Sequence, residues 1–406
     1  MQKKTKIICS LLLVAAVAVF LFFVDMNNVT GSSMLASVLQ LGAIYALVAV
    51  SMNLLNGFTG LFSLGQAGFM AIGAYVFGML TIPVQSKGMV YYLYGVNDAL
   101  ANVALPVPVA MIIAGLVAAL FALLIGAPVL RLKSDYFAIA TLGFSEIVRI
   151  TIGSSPLNSV TNGSLGLKMI PGFSSFYTPF IVSGLCILIV VMLLRSSYGR
   201  SFKAIREDEI AAEAMGINLS KHKQMAFIIS SFFAGIGGAL LAMYLGAVTP
   251  TTFPVKLTYD ILLIVVIGGI GSVTGSIIAS FLVVACKEWW FRFLDQPMYI
   301  GDFHVPLLRT GFRMVVFSLL LMVVVLFFRR GIMGDKEFSW DAIARFFRRI
   351  FHRNKPAAAA AGADGIVMEE IEGEEPVSPA ETVKSETKGD VPAGTEEPSE
   401  GGDRRE

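Results

Sequence analysis

Long apolar runs are the feature that most constrains the fold of this chain. A helical segment of about 20 apolar residues can cross the roughly 30 Å of hydrocarbon in a bilayer. Charged residues make up only 15% of the chain, against about 25% in soluble proteins. The sequence therefore predicts an integral membrane protein. Runs of sufficient length lie near residues 7–24, 34–55, 61–81, 103–130, 134–152, 177–194, 224–245 and 305–328.

The apolar runs predict an all-α membrane fold, because a helix satisfies its own backbone hydrogen bonds in hydrocarbon. Residues 257–293 are too long for one span, and glycines interrupt them at residues 268–275. If this region forms two short spans, the total is about ten transmembrane helices; if it forms one, the number is odd. Lysines and arginines flanking the runs favour the even number, with both termini in the cytoplasm.

Two glycine-rich segments, residues 56–68 and 268–275, interrupt apolar runs. Such interruptions in the two halves of a transporter indicate broken helices around a central substrate path. The alternative is that the glycines only let neighbouring helices pack closely. The glycines assigned to broken helices are Gly57, Gly60, Gly65, Gly268, Gly269 and Gly271.

The chain divides into three predicted parts. Residues 1–330 form the transmembrane domain, whose first run resembles a signal peptide but is interpreted as a retained span. Residues 331–355 predict a basic amphipathic helix suited to the surface of anionic membrane lipids. Residues 356–406 contain 14 acidic and 4 basic residues and no aromatic residue, which predicts a disordered cytoplasmic tail. Whether that tail is simply solvated or regulatory stays open.

A charged island, residues 195–223, separates two apolar runs. Acidic residues suit the first turn of a helix and glycine suits its C-terminal cap, so a short helix is predicted at residues 207–215. Its alanines would allow another surface to approach closely, and its charged residues would supply polar contacts; a solvated connecting loop is the alternative. The residues assigned to this docking surface are Arg206, Glu207, Glu209, Ala211, Ala212, Glu213 and Gly216.

Five stretches, taken in order, resemble the M-type (LivM-like) permease subunits of branched-chain amino acid importers of the ATP-binding-cassette class. The island also resembles the coupling motif E-A-A-x-x-x-G of such permeases, although Ile210 stands where the motif has Glu. The stretches are NLLNGFTGLFSLG at 53–65, LRLKSDYFAIATLGFSEIVR at 130–149, TNG at 161–163, AIREDEIAAEAMG at 204–216 and GGIGS at 268–272.

The resemblance implies a subunit of the bacterial inner membrane that pairs with an H-type permease paralogue. Two cytoplasmic ATPase subunits would dock on the island, and a periplasmic binding protein would deliver leucine, isoleucine or valine. ATP and magnesium would bind to the ATPases, leaving no cofactor on this chain and no enzymatic activity of its own. The sequence agrees, since it contains no G-x-x-x-x-G-K-[ST] phosphate loop. A bulky charge at Ala212 is expected to uncouple transport without preventing membrane insertion.

Polar residues inside the predicted spans are candidates for the substrate path or for links between helices. Glu146 and Arg149 are ionisable residues within one predicted helix, and their i, i+3 spacing favours a structural ion pair. The polar candidates for the substrate path are Ser63, Gln66 and Thr141, and the apolar candidates are Phe62 and Phe69.

Two other transport functions stay open. An ion-coupled secondary transporter would need carboxylates near mid-membrane, where Glu146 is the main candidate. An importer of urea or short-chain amides would use a similar permease. A membrane enzyme is disfavoured, because the histidines and cysteines are scattered without the spacing of a metal site or a nucleophile. Nothing in the sequence indicates a nucleic-acid partner.

Overall fold

The computed structural model describes residues 15–16, 18–26, 33–132, 134–295, 299–300, 303–304, 315–316, 318–319, 322 and 331–334. These residues are almost all helical, which confirms the predicted fold class. The helices are α1 Ser33–Asn53, α2 Gln66–Thr81, α3 Val84–Val90, α4 Asp98–Ala101, α5 Val107–Val129, α6 Ser134–Ile152, α7 Asn158–Thr161, α8 Thr178–Arg195, α9 Ser197–Glu207, α10 Glu209–Ala214, α11 Leu219–Leu245, α12 Val255–Gly268 and α13 Val273–Val284. Residues 15–16 and 18–26 are also helical.

Helix ends coincide with residues that favour them. The α11 helix begins after Asn218, whose side chain accepts a hydrogen bond from the backbone N–H of Lys221 at 3.0 Å. It ends at Gly246, which has φ +68° and so takes a left-handed conformation open to glycine. The α5 helix begins at Val107, and the fixed φ of Pro108 suits its first turn.

The α11 helix lies at the centre of the bundle and packs against α1, α2 and α5. Its contact with α2 depends on glycines that let the backbones meet. A Cβ atom on Gly73 would lie 2.1 Å from the carbonyl oxygen of Gly235, and one on Gly238 would lie 2.0 Å from that of Met70. This is the small-residue packing that lets membrane helices associate without a hydrophobic driving force between them.

Within the described residues, five helices are long and apolar enough to cross a membrane. A sixth is added if α6 and the helical turns at residues 155–161, which bend from it by 60°, count as one broken span. The count of about ten therefore stays a prediction, since residues 7–14 and most of 305–328 lie outside the described part of the chain. The predicted helix at 331–355, except for the turn at 331–334, and the predicted tail at 356–406 lie outside it as well.

Residues 257–293 contain two helices that fold back on each other. Gly268 and Gly275 are in backbone contact beside the turn between α12 and α13. At the far end of the pair, the ammonium of Lys287 lies 2.8 Å from the carboxylate of Asp260. The glycine interruption is therefore a hairpin turn, and the chain continues through a π-helix at Ala285–Trp289. A two-residue antiparallel pair joins Tyr299–Ile300 and Phe303–His304.

The bundle has two ends, which we call the island end and the loop end. The island end contains α9 and α10, and the loop end contains α3, α4 and α7. Lys87 of α3 is 3% exposed, and its ammonium donates hydrogen bonds to the backbone carbonyls of Leu100 and Val103. Burial lowers the pKa of Lys87, while the two carbonyls hold the ammonium in place. Buried hydrogen bonds thus hold the chain segments of the loop end together.

Candidate functional site

The charged island folds into a helix pair with a sharp break at Asp208. That residue has extended backbone geometry, and its carboxylate accepts hydrogen bonds from the N–H groups of Ile210 at 2.8 Å and Ala211 at 3.1 Å. It caps α10, which is shorter than the predicted helix at 207–215 because Glu207 closes α9 instead. Gly216, at φ +82°, ends the helix as a C-terminal glycine does.

The surface of α10 differs from the one expected from its alanines. Ala212 is only 4% exposed, so its side chain is packed inside and cannot lie on a docking surface. Ala211 and Ala214 are exposed. Ile210 and Met215 are the large apolar side chains that project from this helix, each 83% exposed. A bulky charge at Ala212 would therefore disturb the packing of the island itself, and its expected effect on transport stays a prediction.

Acidic side chains are exposed at neighbouring positions of the island, and one of them forms an ion pair with the next long helix. Glu209 forms an ion pair with Lys223 of α11, at 2.6 Å. Glu213 is exposed. Glu207 is 71% exposed and pairs with Arg206 at 2.6 Å. The exposed residues of α10 and its ends thus include both large apolar side chains and acidic ones.

Two cations of α9 reach the first glycine-interrupted segment. A guanidinium N–H of Arg206 donates a 2.9 Å hydrogen bond to the carbonyl of Gly57. The ammonium of Lys203 lies 5.6 Å from the ring centroid of Phe58, within the range of a cation–π contact. The assigned Arg206 therefore faces the transmembrane helices instead of forming a rim around the docking surface.

The first glycine-interrupted segment, predicted at residues 56–68, has no regular α-helix over residues 54–65, where the chain links α1 to α2. It begins as a π-helix at Leu54–Phe58, a distortion that is frequent at functional sites. Gly60 has φ +77°, and Asn56 and Ser63 exchange hydrogen bonds across the turn. Gly65 then precedes the first residue of α2. The predicted break in the helix is therefore present, and side-chain amides and hydroxyls form hydrogen bonds with its backbone groups.

The second glycine-interrupted segment, residues 268–275, meets the end of α1 through Asn53. The side-chain oxygen Oδ1 of Asn53 accepts a hydrogen bond from the N–H of Gly271 at 2.8 Å. Its side-chain nitrogen Nδ2 donates to the Ser272 carbonyl at 2.9 Å and to the Ser276 hydroxyl at 2.8 Å. Gly269 and Gly271 have φ +114° and +89°. Asn53, which sequence reasoning did not assign, therefore joins the two interrupted segments. The signal was an amide side chain in the last turn of an apolar run.

Four of the five substrate-path candidates are buried and hold the first interrupted segment in place. Ser63, Gln66, Phe69 and Thr141 are at most 3% exposed. Gln66 donates to the hydroxyl of Ser51 at 2.6 Å, and the hydroxyl of Thr141 accepts from the N–H of Leu64 at 3.0 Å.

The aromatic candidates divide between the core and the surface. Phe69 packs its ring against Phe144 and Phe227, with centroids 5.2 and 5.4 Å away. Phe62 is the exposed candidate, at 42%.

Glu146 and Arg149 form the expected ion pair along α6. Two nitrogens of the Arg149 guanidinium bond to the Glu146 carboxylate, with Nε 3.0 and 3.1 Å from its two oxygens. Among the described residues, no group of three or more histidine, cysteine, aspartate and glutamate side chains could hold a metal ion.

A bundle of long apolar helices with glycine-interrupted segments and a capped, charged helix pair at one end defines a multi-pass membrane permease. The family model described as "Branched-chain amino acid transport system / permease component" matches residues 34–326. The chain therefore belongs to this family, and it is a multi-pass protein of the bacterial inner membrane.

Relatives of both permease types are found. The chain is 34% identical to the high-affinity branched-chain amino acid transport system permease protein LivM of Escherichia coli K12, over 73% of this chain and 71% of that protein. It is 26% identical to LivH of Salmonella typhimurium, over 73% and 93%. It is 24% identical to a probable LivM of Methanocaldococcus jannaschii, over 72% and 91%. No solved structure matches this chain.

Proposed function

We propose that this chain is the M-type permease subunit of an ATP-binding-cassette importer for branched-chain amino acids. Family membership supports the permease role. The observation that carries the coupling role is the position of the island, whose α9 helix bonds to Gly57 while its α10 helix projects Ile210 and Met215. A separate ATPase that binds α10 would thereby act on the break between α1 and α2.

The proposed assembly contains an H-type permease paralogue, two cytoplasmic ATPase subunits and a periplasmic amino-acid-binding protein. ATP and magnesium bind to the ATPases. The island end faces the cytoplasm, because its lysines and arginines obey the positive-inside rule, and both termini lie on that side. The loop end faces the binding protein.

The substrate path runs along the surface where the first interrupted segment is exposed. Phe62 is the residue we assign to contact the aliphatic side chain of the substrate, since it is apolar and exposed. Ser63, Gln66, Phe69 and Thr141 act by positioning this segment, as their buried contacts support. Glu146 supports no ion-coupled mechanism, because its carboxylate is already matched by Arg149.

The test is leucine uptake into proteoliposomes that contain the chain, its H-type partner and the two ATPases, with binding protein outside. ATP is supplied on the ATPase side, and an ionophore collapses ion gradients. We expect uptake that requires ATP and survives the ionophore. Uptake that follows the ion gradient and ignores ATP would overturn the proposal in favour of a secondary transporter. Uptake of urea or short-chain amides instead of leucine would agree with an importer but overturn the proposed substrate class.

A further inference from the structure

Arg206 occupies the point where the island and both glycine-interrupted segments meet. Its guanidinium bonds to the carbonyl of Gly57 in the first segment. A Cβ atom on Gly271, in the second segment, would lie 2.8 Å from a guanidinium nitrogen of Arg206. One on Gly60 would lie 3.1 Å from Cγ of the same side chain. A side chain at either position would displace Arg206. Glycine at both positions therefore leaves room for the Arg206 side chain.

The bond to Gly57 supplies a partner for one of the last carbonyls of the π-helix. The last carbonyls of a helix have no partner within it and need one from outside. The hydroxyl of Thr59 donates to the carbonyl of Leu54 at 3.0 Å, and the N–H of Leu61 donates to that of Leu55 at 3.1 Å. Arg206 donates to that of Gly57, where a cation also complements the negative end of the helix dipole.

The guanidinium is oriented by its own neighbour. Nε and one terminal nitrogen of Arg206 donate to the same carboxylate oxygen of Glu207, at 3.2 and 2.6 Å, leaving the other terminal nitrogen for Gly57. Asp208, which caps α10, follows directly in the chain. A movement of α10 therefore changes the position of Glu207, and with it the direction of the guanidinium.

We propose that Arg206 is a positioning residue that transmits movement of the island to both glycine-interrupted segments, and that it makes no contact with the ATPase. This rests on the proposed function, since the movement would originate in a docked ATPase. Asn53 completes the link, because its side chain already joins α1 to Gly271. One guanidinium thus controls the ends of α1 and α12 together.

The test compares Arg206→Gln with Arg206→Lys and with the control Arg200→Gln in the reconstituted importer. Arg200 is exposed on the same helix and bonds to Ser197. We expect Arg206→Gln to raise the number of ATP molecules hydrolysed per leucine transported by about tenfold, since a charge-assisted hydrogen bond is lost. Arg206→Lys should restore part of the coupling, and Arg200→Gln should match the wild type.

A second readout uses the full chain alone in nanodiscs and does not depend on transport. Arg206→Gln should raise hydrogen exchange in peptides covering residues 54–61 and 269–272, while Arg200→Gln should not. An unchanged ratio of ATP to leucine would overturn the proposal, even with raised exchange, because the role would then be structural. Failure of the ATPases to assemble with Arg206→Gln would also overturn it, by assigning Arg206 to docking. If the wild type does not transport leucine, the proposed function fails; separately, equal exchange in Arg206→Gln and the wild type would overturn the contact between Arg206 and the two segments.

Discussion

At the scale of single residues, Asn53 shows how one buried side chain can organise two distant segments. It lies 218 positions before Gly271 in the chain, yet its amide bonds directly to the turn at 269–272. A buried polar group left without a partner costs about 1–3 kcal/mol. The backbone N–H of Gly271 therefore depends on this side chain.

We expect Asn53→Ala to destabilise the protein by on the order of 2 kcal/mol, since it strips the buried N–H of Gly271 of its partner. The readout is the thermal unfolding midpoint of the purified chain in detergent, which should fall by several degrees. The matched control is Asn102→Ala, which removes an exposed amide and should leave the midpoint near the wild-type value. Equal midpoints for the two variants would show that the Asn53 contacts contribute nothing to stability.

The sequence predicts which residues lie near a break, but not which distant groups they bond. The glycines at 57, 60, 269 and 271 are visible as interruptions of apolar runs, and three of them have positive φ. The inward direction of Arg206 is not visible, because a charged residue in a charged island looks solvated. It reaches a partner 149 positions earlier in the chain, and no local pattern encodes such a pairing.

At the scale of elements, α10 shows that a short helix is easier to locate than to orient. Its acidic start and terminal glycine are local signals, and they place it within two residues of its observed bounds. With only six residues it has too few turns for a periodic pattern to mark its buried face. Burial of Ala212 and exposure of Ile210 follow from how α9 and α11 pack around it, and only the tertiary structure supplies that.

The exposed pair on α10 leads to a prediction about ATPase docking. We expect the double variant Ile210→Ser with Met215→Ser to bind the ATPases at least about tenfold more weakly, since burial of one such side chain contributes about 1.5–3 kcal/mol. The control replaces both residues with leucine, which keeps the apolar surface and should bind as the wild type does. Co-purification at graded ATPase concentrations measures the difference. Equal binding of the two variants would refute docking through these side chains.

At the scale of the whole molecule, the two ends of the bundle predict opposite exposure across the membrane. Ser220 lies on the exposed surface of the island end, and Gln85 on that of the loop end. In a background without the native cysteines, we expect Ser220→Cys to react with an impermeant maleimide only from the cytoplasmic side. Gln85→Cys should react only from the periplasmic side. Labelling of both positions from one side would contradict the proposed topology.

The paired charges of the α12–α13 hairpin have a consequence for how the chain enters a membrane. Asp260 and Lys287 lie on opposite arms of the hairpin and meet at 2.8 Å. An arm inserted alone would bring one charge towards the hydrocarbon, which costs about 2.5–3.5 kcal/mol at the centre of a bilayer. The two arms inserted together form a locally neutral pair. We therefore expect the two arms to enter the membrane more readily as a preformed hairpin than one after the other.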